Sequence, residues 1–384
     1  MTARFPVTAI VRLLPALVLL VLLVYHGLLG PELSRDSHTF DRLSDRVLSW
    51  EFSLTAYWQG MAGPERLYLV SLFGVAFLKL ASGEAWPMAW LAGNLALVAL
   101  TMAAFVAAGR RLGLGMPVIA SASLLFLLSA DYLTWPRFLL TDTGLAFLVM
   151  LAVMVATKPL GRLTGVLQSA VLVTMAFTRP AAIPAVIAFA AFYGLTASGA
   201  DQASRHVVAL GLIGGTVAAS GIYAAVMWTH YNQWLPPTRA LDYLGSYAHQ
   251  GAVILHRDET AITMHHGVVD YLRLFYARLF SFYFPWVEGF SLRHRLFNGV
   301  LHGAIALAAV RLYLRPPVLS QPQRRAILLI VLLAAAVAVF HTVTLIDYDF
   351  RYRYPVVAPL LLMVAIALSS LRFPSRGART HARS

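Results

Sequence analysis

The feature that most constrains this chain is a series of long apolar runs that recurs from one end to the other. A helix needs about 20 apolar residues to cross roughly 30 Å of hydrocarbon. With 59% hydrophobic residues, 12% charged residues and a mean hydropathy of +0.71, a soluble fold could not cover its surface with polar groups. The runs therefore predict an all-α, polytopic membrane protein, with residues 1–384 forming a single membrane domain. Ten transmembrane helices are predicted, at 8–29, 86–108, 116–130, 143–157, 163–178, 180–197, 206–227, 296–314, 326–345 and 355–371.

Two further apolar runs do not fit a simple crossing. Residues 67–80 would span only about 21 Å as a helix, and residues 271–286 carry Arg273 and Arg278 among aromatic residues, a composition typical of the headgroup region. If 67–80 crossed the membrane, Arg110–Arg111 and every later basic cluster up to the run 271–286 would lie on the outer side. The positive-inside rule therefore predicts that both runs are outer-face juxtamembrane helices and that both termini are cytoplasmic.

Charge and composition exclude several classes of function. The formal charge of +13 does not indicate nucleic-acid binding, because the basic residues occur in short clusters between apolar runs, which suits the positive-inside rule better than a nucleic-acid groove. The chain has no cysteine, so disulfides, thiol nucleophiles and cysteine-ligated metals are excluded. Signatures of soluble enzymes such as GxSxG, GxGxxG and HExxH do not occur in the sequence.

Polar chemistry is predicted on the outer face, which comprises a first loop at 30–85, a long loop at 228–295 and shorter segments at 131–142, 178–180 and 347–354. Three carboxylates, those of Asp36, Glu65 and Asp142, are predicted to lie at the water edge beside spans. A carboxylate that is partly removed from water can serve as a general base, and two or three together can hold a cation.

The alternative interpretation of these acids is structural. They can be solvated loop residues or helix caps. In particular, Asp36 together with Ser34 and Ser37 can cap a helix that starts near Thr39.

A second polar cluster, DYDFRYRY at 347–354, lies between two predicted spans. Arg351 and Arg353 alternate there with tyrosines, including Tyr352, and a planar guanidinium group can hold phosphate oxygens bidentately. Arg179, in the sequence TRP, is a weaker case of the same kind. Because cations are disfavoured on the outer side, these residues predict an anion-binding function. The alternative is an interfacial aromatic belt whose arginines are neutralised by the two aspartates of the same cluster.

A divalent metal is the one cofactor for which the sequence offers ligands, with Glu65 and His265 as candidates. His256, His265 and His266 lie near acidic residues. Adjacent His265 and His266 cannot easily share one ion, however, and no HxH or HxxxH spacing is present. A solvated loop is the favoured interpretation, and the metal site is the alternative.

Six segments recur in the order found in one known family: RDSHTFDRLSDRV after the first span, GPERLYLVSLFGVAFLKLASG, a span ending in GRRLG, RFLLTDTGLAFLVM, MAFTRPAAIPAV and DFRYRYPVVAPLLLMVA. Together they resemble the GT-C-type integral-membrane glycosyltransferases, in particular the branch of bacterial lipid A aminoarabinose transferases and protein O-mannosyltransferases. The sequence departs from the family pattern at Ser37, where a second acid is common, and at Pro64–Glu65, where a proline pair is common.

The resemblance implies transfer of a sugar from a polyprenyl-phosphate donor to a hydroxyl acceptor, with inversion, on the periplasmic face of a bacterial inner membrane. The acceptor class, whether lipid, glycan or protein, and the sugar are left open. The resemblance makes Asp36 the general base, with Asp142 and Glu65 as further catalytic acids. It implies that the donor phosphate is bound by Arg351, Arg353, Arg179 and Tyr352. A transporter or flippase of lipid-linked sugars is the alternative, since it would need the same outer arginines.

Overall fold

The computed structural model describes residues 7–61, 63–159, 161–196, 276, 279–280, 282–283, 291–314, 319–343 and 350–371. The predicted span 206–227, His265, Asp347, Asp349 and most of the predicted loop 228–295, with its interfacial helix, lie outside them.

The described chain is helical, as the sequence predicts. No β-strand occurs in the described ranges, and a single isolated parallel bridge there joins Glu32 and Phe138. Short 3-10 turns connect several of the helices. The helices are α1 Val7–Leu29, α2 Arg35–Ser49, α3 Leu54–Gly60, α4 Leu69–Ser82, α5 Trp86–Arg111, α6 Met116–Leu124, α7 Ala130–Thr134, α8 Asp142–Ala156, α9 Arg162–Ala176, α10 Ile183–Thr196, α11 Leu292–Leu314, α12 Gln321–Val343 and α13 Tyr354–Ser369.

Several stretches are long and apolar enough to cross a membrane, which supports the predicted polytopic membrane class. Three shorter apolar helices, α8, α9 and α10, accompany them. The number of ten spans stays a prediction. By length and hydropathy alone, the candidate spans in the described chain are Arg12–Leu29, Glu65–Arg111, Leu292–Leu314, Gln321–Thr342 and Arg351–Ser369.

The span predicted as one run at 116–130 is broken. Met116–Leu128 and Ala130–Arg137 form a pair bent by 60° and together make a sixth candidate span. The break has a local cause, because Ser129 adopts an extended backbone and its hydroxyl caps the next short helix by accepting the Tyr132 N–H at 3.4 Å.

Helix α13 forms the centre of the bundle. Every residue from Tyr354 to Ala367 is buried, and the helix packs against α5, α6, α8, α11 and α12. A helix that is apolar on all sides is expected in such a central position. Its location brings the preceding turn, Phe350–Arg353, to the middle of one end of the bundle.

The outward surfaces of the bundle are apolar. Helix α1 leaves Leu13 and Leu28 exposed at 59% and 83%, and α11 leaves Leu307 exposed at 73%. An exposed apolar surface of this extent would be unfavourable in water. It is compatible with a surface that contacts lipid.

The first loop folds into a small helical unit that packs on the bundle through α4 and α5. Helix α4 agrees within two residues with the helix predicted at 67–80, and its C-cap is Gly83, which has a φ of +54° that suits glycine. The placement of α4 along the outer interface stays a prediction. The buried cluster between α2, α3 and α4 consists of Leu43, Val47, Tyr57, Met61, Leu72 and Ala76.

Helix α2 begins at Arg35, earlier than the predicted start near Thr39. The cap is Ser34, not Asp36. The Ser37 N–H donates to the Ser34 hydroxyl at 3.2 Å, and the Ser34 N–H donates to the Ser37 hydroxyl at 3.0 Å, a capping box built from two serines. Asp36 is thereby left in the first turn, where its charge interacts favourably with the helix dipole.

Candidate functional site

Four segments of the chain meet at one end of the bundle. They are the start of α2, the start of α8, the turn before α10 and the turn before α13. Ion pairs join the first to the fourth and the second to the third, and a cation–π contact joins the two turns. We call this assembly the aspartate–arginine end.

Hydrogen bonds to backbone carbonyl groups hold the first loop against this end. The Ser71 hydroxyl donates to the Thr178 carbonyl at 2.7 Å, and the Val70 N–H donates to the Phe177 carbonyl at 3.0 Å. On the other side, the Glu32 N–H donates to the Arg137 carbonyl at 2.9 Å, and the two side chains also form an ion pair. The position of α2 therefore depends on segments more than 100 residues away in sequence.

Asp36 and Arg351 form the outermost ion pair of the site. The Arg351 Nη1 donates to the Asp36 Oδ2 at 2.6 Å. The Asp36 side chain is 51% exposed, whereas that of Arg351 is 13% exposed. The carboxylate thus remains open to a ligand from solvent while the guanidinium that holds it is largely covered.

Asp142 and Arg179 form a second pair that is buried. Their side chains are only 2% and 6% exposed. The prediction that Asp142 lies at the water edge is therefore wrong, because the packing of α8 against α5 and α13 carries its first turn into the interior. Burial lowers the pKa of Arg179, but the Asp142 carboxylate and Tyr68 raise it, and the net direction is upward. Arg179 consequently stays protonated.

Arg353 and Asp131 form the third pair, which is also buried. The Arg353 Nε donates to the Asp131 Oδ2 at 3.2 Å, and the side chains are 1% and 2% exposed. The Trp135 indole N–H donates to the other carboxylate oxygen at 3.2 Å. Asp131 is not among the site residues that the sequence predicts. Its position could have identified it from the sequence, because Asp131 directly follows an apolar run. In a membrane protein, an acid at such a position is often functional or ion-paired.

Tyr352 lies between two of the arginines. The guanidinium carbons of Arg179 and Arg351 are 5.4 Å and 5.3 Å from the centroid of its ring. His341 also stacks on the ring, with centroids 4.2 Å apart and an interplanar angle of 19°. The prediction that Tyr352 shares a site with Arg179 and Arg351 agrees with this geometry, and His341 joins them.

Two residues of the first loop lie beside this cluster. Tyr68 packs edge-on against Phe40, with ring centroids 5.1 Å apart, and its hydroxyl interacts electrostatically with Arg179 and Asp142. Glu65 lies three residues earlier in the 3-10 turn Gly63–Tyr68, and its backbone carbonyl accepts the Tyr57 hydroxyl at 2.8 Å. Glu65 thus belongs to the segment that supports the site.

Local sequence explains how the arginines reach their partners. Arg179 has φ −171° and ψ 155°, the extended backbone favoured before a proline, here Pro180. The turn that carries Arg351 and Arg353 precedes Pro355 in the first turn of α13, where a proline is tolerated. The two prolines therefore set the directions from which the arginines enter.

The site still contains buried acceptors and donors that the described chain does not satisfy. The Asp142 Oδ2 and the Thr141 hydroxyl are both buried and have no hydrogen-bond partner in the described ranges. Buried polar groups of this kind normally find a protein, water or ligand partner. With the exposed oxygen of Asp36, they give the aspartate–arginine end hydrogen-bonding capacity for a polar ligand.

The metal prediction remains open. Among the described residues, no group of three or more histidine, aspartate or glutamate side chains is arranged to hold a metal ion. One candidate ligand, His265, lies outside the described ranges. A divalent metal therefore stays a prediction.

The alternative in which Arg351 and Arg353 are neutralised within their own cluster involves Asp347 and Asp349, which the structure does not describe. Within the described chain, Arg351 pairs with Asp36 and Arg353 with Asp131, both far away in sequence. Pairing within the cluster is therefore not tested.

Comparisons with known proteins add no relative. No protein-family model, no curated protein and no solved structure matches this chain. The GT-C resemblance of the short sequence segments is thus not accompanied by any such match.

Proposed function

We propose that this protein is a membrane glycosyltransferase that acts at the aspartate–arginine end and uses a polyprenyl-phosphate sugar as donor. The observation that carries the proposal is the pair of Asp36 and Arg351, in which a half-exposed carboxylate is held at 2.6 Å by a largely covered guanidinium. One partner can take a proton and the other can bind a phosphate oxygen. Transfer of a sugar from a phosphate to a hydroxyl group needs both a proton acceptor and a group that binds the phosphate.

The proposed reaction is a single displacement. Asp36 accepts the proton of the acceptor hydroxyl as its oxygen forms a bond to the anomeric carbon. The bond from that carbon to the donor phosphate breaks on the opposite face, and the phosphate leaves with the electron pair. The anomeric configuration is inverted. Arg351 stabilises the negative charge that develops on the leaving phosphate.

Arg351 suits two partners at once. A guanidinium group carries five N–H donors in a planar fork, so one edge can orient a carboxylate while another edge meets a phosphate. The guanidinium of Arg351 also lies over the face of the adjacent Tyr352 ring, in a cation–π contact that helps to hold it in place.

Burial divides the three arginines into different roles. Arg353 is 1% exposed and already bonded to Asp131, so we assign it a positioning role that holds the turn before α13. Arg179 is held by its ion pair with Asp142 and its cation–π contact with Tyr352, and we assign it an indirect role, in which its positive charge acts on the site without touching the donor. Arg351 is then the residue proposed to touch the donor.

The test compares variants of matched environment in membranes. Asp36→Asn is expected to lower transfer from polyprenyl-phosphate hexoses and pentoses to endogenous acceptors by about 100-fold or more, the range for a lost general base. Asp45→Asn, which alters an exposed, ion-paired carboxylate further along the same helix, is the control and should retain full activity. Arg351→Lys should keep more activity than Arg351→Gln, because it preserves the charge but not the fork. Full transfer by Asp36→Asn at normal protein level contradicts the proposal.

A transporter of lipid-linked sugars is the second candidate, and one observation favours it. The bent pair Met116–Leu128 and Ala130–Arg137 is a broken span, and it carries the buried Asp131 just beyond the break. Broken helices with ionisable residues are a feature of transporters. Movement of a fluorescent polyprenyl-phosphate sugar across liposomes, without formation of a glycosylated product, would support this candidate over the transferase.

A further inference from the structure

A cavity of about 220 Å³ lies at the opposite end of the bundle. It is formed where α8 and α10 end and where α12 begins, with Thr157, Phe192 and Gln321 among its lining residues. Because α8 has 15 residues, this cavity is about 22 Å along the helix from the aspartate–arginine end.

The lining changes from polar to apolar with depth. Lys158 and Gln321 are exposed, whereas Val153, Phe192 and Leu329 are each at most 1% exposed. The cavity therefore offers charge at its outer side and an apolar wall further in. Such a gradient fits an amphipathic occupant better than a fully hydrated ion.

The two cations of the lining, Lys158 and Arg325, have no ion-pair partner among the described carboxylates. Arg325 is positioned by the chain itself, because its guanidinium carbon lies 5.7 Å from the Phe192 ring centroid and its Nη2 donates to the Thr196 hydroxyl at 3.5 Å. Its Nε is buried and has no acceptor in the described ranges. A buried donor on a cation in a cavity requires an anionic or polar partner.

A third cation lies close by. Arg111 donates from Nη1 to the Met154 carbonyl at 2.9 Å, four residues before Lys158. Among the described residues that line the cavity, none is acidic. Two helix C-termini and one N-terminus meet at the cavity, so their partial charges offset one another only in part, and the full charges of the side chains decide the sign of the potential.

We propose that this cavity binds a phosphate group, in the form of the headgroup of an anionic phospholipid. The sequence predicts that this end faces the cytoplasm, and basic pockets between transmembrane helices on that side bind anionic headgroups. The phosphate meets Arg325 and Lys158, and the less polar part of the lipid contacts the wall around Phe192. The site is distinct from the aspartate–arginine end and does not depend on the proposed transfer reaction.

The experiment measures binding of short-chain phosphatidylglycerol to the full chain in detergent by native mass spectrometry. The comparison includes the double variant Lys158→Gln/Arg325→Gln, the charge-preserving Arg325→Lys and the control Arg324→Gln. Arg324 neighbours Arg325 on the first turns of α12, is exposed, and does not line the cavity. Thermal unfolding of each variant is recorded in parallel, and the single variant Lys158→Gln, at an exposed position, serves if the double variant does not fold.

The wild-type chain is expected to bind phosphatidylglycerol about tenfold more tightly than the double variant, since each cation contributes appreciably to anionic-lipid binding. Arg325→Lys and Arg324→Gln should bind nearly as the wild type does. Equal affinity of the wild type and the double variant, or equal wild-type affinity for phosphatidylcholine, would overturn the proposal.

Competition with inorganic phosphate distinguishes the source of the group. If millimolar phosphate does not displace the lipid, the lipid headgroup is the ligand. If it displaces the lipid and also binds in an Arg325-dependent manner, the phosphate site stands and its ligand is a soluble phosphate.

Discussion

The cationic side chains at the two ends of this bundle differ in whether they pair with carboxylates of the described chain. At the aspartate–arginine end, Arg179, Arg351 and Arg353 each pair with an aspartate from a distant segment. At the cavity end, Lys158 and Arg325 pair with no carboxylate in the described chain. One end supplies its own counter-charges, whereas at the other end the described residues supply none.

This difference separates two kinds of recognition. Long-range ion pairs at low exposure fix the geometry of a site before any ligand arrives, at a cost in desolvation. Unpaired cations around a cavity leave the counter-charge to the ligand. The pre-formed end is therefore where a reaction with demanding geometry is expected, and the unpaired end is where an anion is expected simply to bind.

The largest effect on stability is predicted for the buried pair of Asp142 and Arg179. Asp142→Asn leaves a buried guanidinium group without its partner and should destabilise the protein by about 3–5 kcal/mol. The double variant Asp142→Asn/Arg179→Gln should recover part of this loss, because it removes both charges. Thermal unfolding in detergent measures both changes. An unchanged melting temperature for Asp142→Asn would show that the pair does not hold this end together.

A smaller effect is predicted for Tyr352, whose ring lies against two guanidinium groups. Tyr352→Leu removes both cation–π contacts and should destabilise the protein by about 1–2 kcal/mol. Tyr352→Phe keeps the ring face and is the matched control. If the two variants melt together, the ring face is not what supports the arginines.

The smallest effect on stability is predicted for Asp36. Its pair with Arg351 is half exposed on the carboxylate side, and exposed ion pairs contribute roughly 0–1 kcal/mol. Asp36→Asn should therefore shift the melting temperature no more than Asp45→Asn does. A large loss of stability on Asp36→Asn would show that this pair, like the buried pairs, stabilises the fold.

Much of the fold can be predicted from the sequence because apolar runs report helices directly. Helix α1 and the helix predicted at 67–80 are found within two residues of their predicted limits. The start of α2 at Arg35 differs from the predicted start near Thr39, because its capping box uses Ser37 in place of the usual acidic or amide side chain. The break after Leu128 depends on the backbone of Ser129, which hydropathy does not report.

The site was only partly predictable. Asp36, Arg351 and Tyr352 stand out as polar residues at span ends, and the structure brings them together. The burial of Asp142 and the pairing of Arg353 with Asp131 depend on how helices far apart in sequence pack around α13. A linear pattern does not contain that packing.

The most direct test of the central claim is transfer activity in membranes that contain equal amounts of wild-type, Asp36→Asn and Asp45→Asn protein. The account predicts that Asp36→Asn lowers transfer from a polyprenyl-phosphate sugar by about 100-fold or more, while Asp45→Asn and the wild type are equally active and all three proteins melt alike. Equal transfer by Asp36→Asn and the wild type would contradict it.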